Sequence, residues 1–187
     1  MIPDEDKKAL LELARKAIYS ELFNEPLQIS GTLKSRFAKK QGLFVTLKKH
    51  DNLRGCIGFT EPFFPLYDAV VEASKSAAFK DPRFDSLTKD EFDLIKIEIS
   101  LLSEPKELVV KNCTDYLELI KIGKHGLVIR SPKGRSGLLL PQVPVEQKWD
   151  VLEYLENLCM KANLDRDAWR DLENKIYVFE AFVFGED

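Results

Sequence analysis

The order of apolar patterns in this chain predicts an α+β fold built on a mostly antiparallel sheet flanked by helices. Helix-period and strand-period segments are mixed without a regular βαβ rhythm. Two strand-like stretches, 42–49 and 53–60, are separated only by His50-Asp51-Asn52 and read as a hairpin. The most regular strand pattern covers 94–102, with Ile95, Ile97, Ile99 and Leu101 on one face and Lys96, Glu98 and Ser100 on the other.

The remaining elements follow in order. Leu10, Leu13, Ala14, Ala17, Ile18 and Leu22 recur at helical spacing and predict a helix over 4–23. Asp4, Glu5 and Asp6 at its start suit the positive end of the macrodipole. Residues 24–41 read as a connector. A helix over 65–79 is rich in Ala and Ser, a face that lets a backbone, of a neighbour or of a ligand, come close. Asp81-Pro82-Arg83-Phe84 is a loop, because the residue before proline is driven out of the helical region. Thr88 and Glu91 form a capping box for a short helix. Further on, a short helix is expected over 115–120 and two strands over 126–130 and 137–140. A helix over 148–162 should bury Trp149, Leu152, Leu155, Cys159 and Ala162, with Asn163 as its left-handed cap. A short helix over 165–172 precedes a last strand, 175–184, whose apolar residues on both faces predict a central, doubly covered position.

With 187 residues, 44% hydrophobic and 32% charged, the chain has the composition of a soluble globular domain. It reads as one domain, 1–187, with room for a core and a smaller lobe. The formal charge of −3 supplies no field to draw in nucleic acid, and aromatics are not interleaved with basic residues. No apolar run approaches the roughly 20 residues of a membrane span. The acidic start, Met1-Ile2-Pro3-Asp4-Glu5-Asp6, leads into a helix and does not read as a signal peptide. Cys56, Cys113 and Cys159 are odd in number and far apart, which suits a reducing, cytoplasmic setting better than disulfides. Two histidines, few and far apart, do not make a convincing metal site alone, and the sequence leaves the cofactor unknown.

The stretch hardest to explain by packing is Leu53-Arg54-Gly55-Cys56-Ile57-Gly58. On a strand, Arg54, Cys56 and Gly58 share one face. Gly58 clears that face beside a guanidinium that can fork onto a carboxylate or phosphate, while Gly55, Ile57 and Phe59 point the other way. A cation next to Cys56 would lower its pKa and favour a nucleophilic or redox thiolate, whereas a small buried hydrophobe is the competing explanation. Glu98 could move a proton, or pair with Arg54 or Lys96. Asp81 and Arg83 add an acid and a guanidinium on a loop, or simply pair with each other. His125, in a glycine-flanked turn, is a candidate acid or base. Gln142, after a strand and between prolines, could donate its amide to a ligand. No phosphate-loop, dinucleotide, serine-hydrolase or zinc-protease motif is present.

GLFVTL at 42–47, LRGCIG at 53–58, AFKDPRF at 78–84 and IEISLLSEP at 97–105 are followed by GKHGLVI at 123–129, LLPQV at 139–143, Trp149 and LCMKANL at 158–164. In this order and over nearly the whole chain, these segments resemble the AMMECR domain family, with Asn163 standing where glycine is expected. The resemblance implies a larger and a smaller lobe with a cleft between them, and Arg54, Gly55, Cys56 and Gly58 in the family signature. It implies no established activity. It does suggest a modification pathway, because similar prokaryotic proteins are associated with a Memo-like protein and a radical-SAM protein. Two functions stay open: a small-anion-binding enzyme or enzyme component, with Cys56, His125 and Glu98 as catalytic groups and Arg54, Gly55, Gly58, Asp81, Arg83 and Gln142 as binding groups, or a non-catalytic module that docks a protein or peptide.

Overall fold

The computed structural model describes residues 2–186. Among them are six helices and two four-stranded antiparallel sheets, the α+β architecture that the sequence predicts. The chain forms two compact units, the first made of residues up to Leu102 and from Phe182 onward, the second of Ser103–Ala181.

The first unit begins with α1 (Asp4–Leu22) and the short α2 (Gly31–Arg36), which lies within the expected connector. Ser30 accepts the Leu33 N–H and so caps α2. β1 (Leu43–Lys49) and β2 (Asn52–Phe59) form the hairpin, turned by His50 and Asp51 at φ 51° and 63°. α3 (Leu66–Phe79) follows, then a single 3₁₀ turn, Lys89–Glu91, started by the predicted Thr88/Glu91 capping box. β3 (Ile95–Leu102) pairs antiparallel with β1, and β8 (Ala181–Gly185) completes the sheet order β2-β1-β3-β8. Leu43, Val45 and Leu47 of β1 and Ile95, Ile97, Ile99 and Leu101 of β3 bury one face against α1 and α3. The other face keeps Thr46, Lys48, Glu98 and Ser100 only half-buried.

The small residues of α3 serve a neighbouring element. A Cβ on Gly55 would lie 2.1 Å from the Ala77 carbonyl oxygen, so the glycine is what lets α3 press against β2. A Cβ on Gly58 would lie 2.2 Å from the Leu43 carbonyl oxygen and 2.6 Å from the Phe44 ring. The space that both glycines clear is thus filled by the protein itself.

The second unit contains β4 (Lys106–Glu107), α4 (Asp115–Leu119), β5 (Gly126–Arg130), β6 (Ser136–Leu139), α5 (Val143–Gln147), α6 (Val151–Lys161) and β7 (Lys175–Phe179). Its sheet runs β4-β7-β5-β6 over a core that includes Leu127, Ile129, Tyr154, Leu155, Leu158, Trp169 and Ile176. The expected helix over 148–162 is broken in two. Lys148 takes a left-handed φ of 57° and ends α5, and Asp150 starts α6 through its own capping box with Glu153. Trp149 therefore packs against this core from outside α6, and Leu152 faces outward. Asn163 does adopt the left-handed conformation, φ 55°. The helix expected over 165–172 shrinks to a 3₁₀ turn, Ala168–Arg170.

The expected single strand over 175–184 is also divided. β7 and β8 belong to different sheets, and Glu180 lies between them. Ile176 and Phe179 are buried, whereas Phe184 only packs partly against the first core and Phe182 and Val183 are 39% and 52% exposed. Two half-apolar strands placed end to end imitate one strand covered on both faces.

Candidate functional site

The LRGCIG segment sits on an edge strand, and its backbone explains much of its composition. Leu47 pairs with Gly55 and Lys48 with Leu53, so Arg54 is the extra residue of a β-bulge. A bulge re-aims the side chain it carries. Arg54 turns to the 3₁₀ turn, where its Nε and Nη2 donate to Glu91 Oε1 and Oε2 at 3.1 and 2.9 Å. Lys49 Nζ donates to the same carboxylate at 2.9 Å, and the Thr88 N–H at 3.2 Å. The Arg54 fork holds the Glu91 carboxyl well below the usual carboxylate range, and Glu91 in turn keeps Arg54 firmly protonated.

Two residues along, Cys56 points its N–H and C=O away from β1 at the open edge of the sheet. The Asp81-Pro82-Arg83 loop closes that edge with side chains. Asp81 Oδ2 accepts the Cys56 N–H at 2.8 Å, and Arg83 Nη2 donates to the Cys56 carbonyl at 3.2 Å. Arg83 Nε and Nη2 also fork onto Asp81, at 3.0 and 2.7 Å, and the Arg83 N–H adds a bond at 3.1 Å. At Cys56, Asp81 and Arg83 act together as one more strand would, satisfying one N–H and one C=O of the edge. The Asp81 side chain is 2% exposed, and Arg83 depresses its pKa far below the ordinary value.

The two arginines are thus held alike, each forked by its Nε and Nη2 onto one carboxylate. Among the described residues, Arg54 Nη1 is buried and finds no acceptor, and no hydrogen bond engages Arg83 Nη1. The Phe84 ring lies beside both, with guanidinium carbons 5.9 Å (Arg54) and 5.5 Å (Arg83) from its centroid. Around them opens a cavity of about 730 Å³, lined by Lys49, Arg54, Pro82, Arg83, Phe84, Asp85, Ser86, Thr88 and Glu91. The Arg83 side chain, 53% exposed, is the most accessible of the paired arginine and carboxylate groups.

The other predicted residues are distributed differently. Cys56 and Glu98 do share a sheet face, in one cross-strand row with Thr46 between them. Thr46 Oγ1 donates to Cys56 Sγ at 3.3 Å, and Lys48, not Arg54 or Lys96, takes Glu98 at 2.8 Å. The lining of the Arg54/Arg83 cavity does not include Cys56 or Glu98. His125 and Gln142 belong to the second unit. His125 Nδ1 accepts the Lys121 N–H at 3.3 Å, and partial burial draws its pKa below the ordinary value. Gln142 is exposed at the N-cap position of α5. Cys159 is fully buried in the second core, and burial pushes its thiol up to about 11. Sequence reasoning missed Glu91 and Lys49 as partners of the Arg54 site and Phe84 as its aromatic wall. The capping box was the one available signal for Glu91.

A two-unit α+β protein with a paired-arginine cavity on an edge strand is the class of molecule these features define. The chain belongs to the AMMECR1 family, whose model matches residues 11–184. It is similar to a protein of Methanopyrus kandleri, 50% identical over 186 residues that cover 98% of this chain and 89% of that one. A protein of Nanoarchaeum equitans is 45% identical over 180 residues, covering 95% of this chain and 99% of its own length. The crystal structure of an uncharacterized protein from Pyrococcus horikoshii matches with a TM-score of 0.84 and 38% identity, over 100% of this chain and 94% of that one. No helix among the described residues is long and apolar enough to cross a membrane.

Proposed function

We propose that this protein is a small-anion-binding enzyme component whose ligand enters the cavity beside Arg83 and Arg54. The observation that carries the reading is the pair of arginines, each forked onto a carboxylate, with Arg54 Nη1 buried without an acceptor and Arg83 Nη1 without a hydrogen bond among the described residues. Donors held in place before a ligand arrives lose little freedom on binding, which is what makes preorganised sites effective. The polar lining favours this over docking of an apolar partner face. Asp81 and Glu91 are the positioning groups, and Arg83 is the first contact because of its exposure. The family resemblance makes a modification pathway, with Memo-like and radical-SAM proteins, the context in which such a component would act.

The test is a heteronuclear NMR titration of the whole chain with small anions, phosphate and short carboxylates among them, read at the amides of 81–91. A saturable response that Arg83→Gln abolishes supports the proposal. Linear, unsaturated shifts that persist in Arg83→Gln would remove it.

A further inference from the structure

Resting on the anion-binding reading of this cavity, we infer that its ligand class is a singly charged carboxylate carrying a short apolar or aryl body, and not a phosphate ester. Three features point the same way. The cations Lys49, Arg54 and Arg83 meet the carboxylates Asp85 and Glu91 in the wall and Asp81 behind Arg83, three against three. An anion therefore enters a surface with no net positive charge. It is held by the directed N–H bonds of a guanidinium whose charge is already shared, and each added negative charge meets Asp85 and Glu91. A dianionic phosphate suffers that repulsion twice over, whereas a carboxylate brings one charge.

The geometry of the donors agrees with the charge count. On Arg83, Nε and Nη2 are taken by the fork onto Asp81 and Nη2 also donates to the Cys56 carbonyl, so that among the described residues Nη1 is the donor left for a ligand. A carboxylate has an oxygen to offer to Arg83 Nη1, on a side chain that is 53% exposed, whereas Arg54 Nη1 is buried and finds no acceptor among the described residues. The third feature is apolar. Phe84 and the exposed ring of Pro82 stand in the same wall as Arg83, a surface that favours a flat or short hydrocarbon body and gives nothing to inorganic phosphate.

The experiment compares benzoate, butyrate, acetate and inorganic phosphate on the full chain by NMR titration at constant ionic strength, with Arg83→Gln and Phe84→Ala alongside. Benzoate or butyrate is expected to bind at least about tenfold more tightly than phosphate, and to lose about tenfold or more in Arg83→Gln, the weight of one charge-assisted hydrogen bond. Phe84→Ala should weaken benzoate more than acetate. Phosphate binding as tightly as benzoate, with both lost in Arg83→Gln, would overturn the carboxylate class and leave the anion site standing. Absence of any saturable binding would overturn both. Carboxylate binding that is indifferent to Phe84→Ala and equal for acetate and benzoate would overturn the apolar body.

Discussion

Replacing Asp81 by Asn isolates the interaction on which the edge of β2 depends. The native carboxylate accepts from the Cys56 N–H, the Arg83 N–H and two guanidinium nitrogens, at 2.7–3.1 Å. Asparagine keeps one acceptor oxygen and turns an NH₂ toward donors that the carboxylate had satisfied, the Cys56 N–H or the Arg83 groups. A buried donor left unpaired costs about 1–3 kcal/mol, and charge-assisted bonds are each worth about 1.5–3 kcal/mol net. Arg83 is 53% exposed and recovers hydration when released, so its share is discounted. The expected loss is then about 2–4 kcal/mol, which is a fall in Tm of about 4–16 °C for a chain of this size. Urea denaturation followed by far-UV circular dichroism at pH 7 measures it. Asp81 has a depressed pKa in the folded state, so its contribution is present above the unfolded value of about 3.9 and fades as pH falls below that. Parent and Asp81→Asn should therefore converge in stability as the pH drops below about 4. A stability within about 0.5 kcal/mol of the parent at pH 7, the ordinary scatter of a surface substitution, would refute the role assigned to this clamp.

Gly55→Ala forces a Cβ to within 2.1 Å of the Ala77 carbonyl and should destabilise by about 1–3 kcal/mol or more, whereas Gly31→Ala, with nothing within 4 Å, should be neutral or slightly stabilising in the same denaturation assay. Glu186→Gln removes a carboxylate that holds both Arg15 Nε and Nη2 and the Ile97 N–H at 2.6–2.8 Å, so about 1–3 kcal/mol should be lost from the first unit by hydrogen exchange at β3. Cys56→Ser should leave benzoate binding unchanged, because the thiol does not line the cavity, and a large loss would return Cys56 to the site. His125 should titrate below its ordinary 6.5 by NMR, and its contribution to stability should be present above that pH and fall away as the solution becomes more acid.

Much of the fold was legible because single elements carried clear periods. The 94–102 pattern placed Ile95, Ile97, Ile99 and Leu101 on the buried face they occupy in β3. Where two elements abutted, period alone misled. The apolar run at 175–184 merged two strands of different sheets, and the helix at 148–162 hid a capping box at Asp150. The site was legible in its residue types but not in its pairing. Arg54 stood out, yet the bulge that aims it at Glu91 is a property of register between Leu47 and Lys48. Gly55 and Gly58 signalled close approach correctly, but only the fold showed that α3 and β1 are what approach.

A crystal structure of the protein soaked with benzoate tests the central claim most directly. The account predicts a carboxylate oxygen within hydrogen-bond reach of Arg83 Nη1, with Asp81 and Glu91 still forked by their arginines and the ligand ring against Phe84. An empty cavity at saturating benzoate, or a ligand that binds away from both arginines, would contradict it.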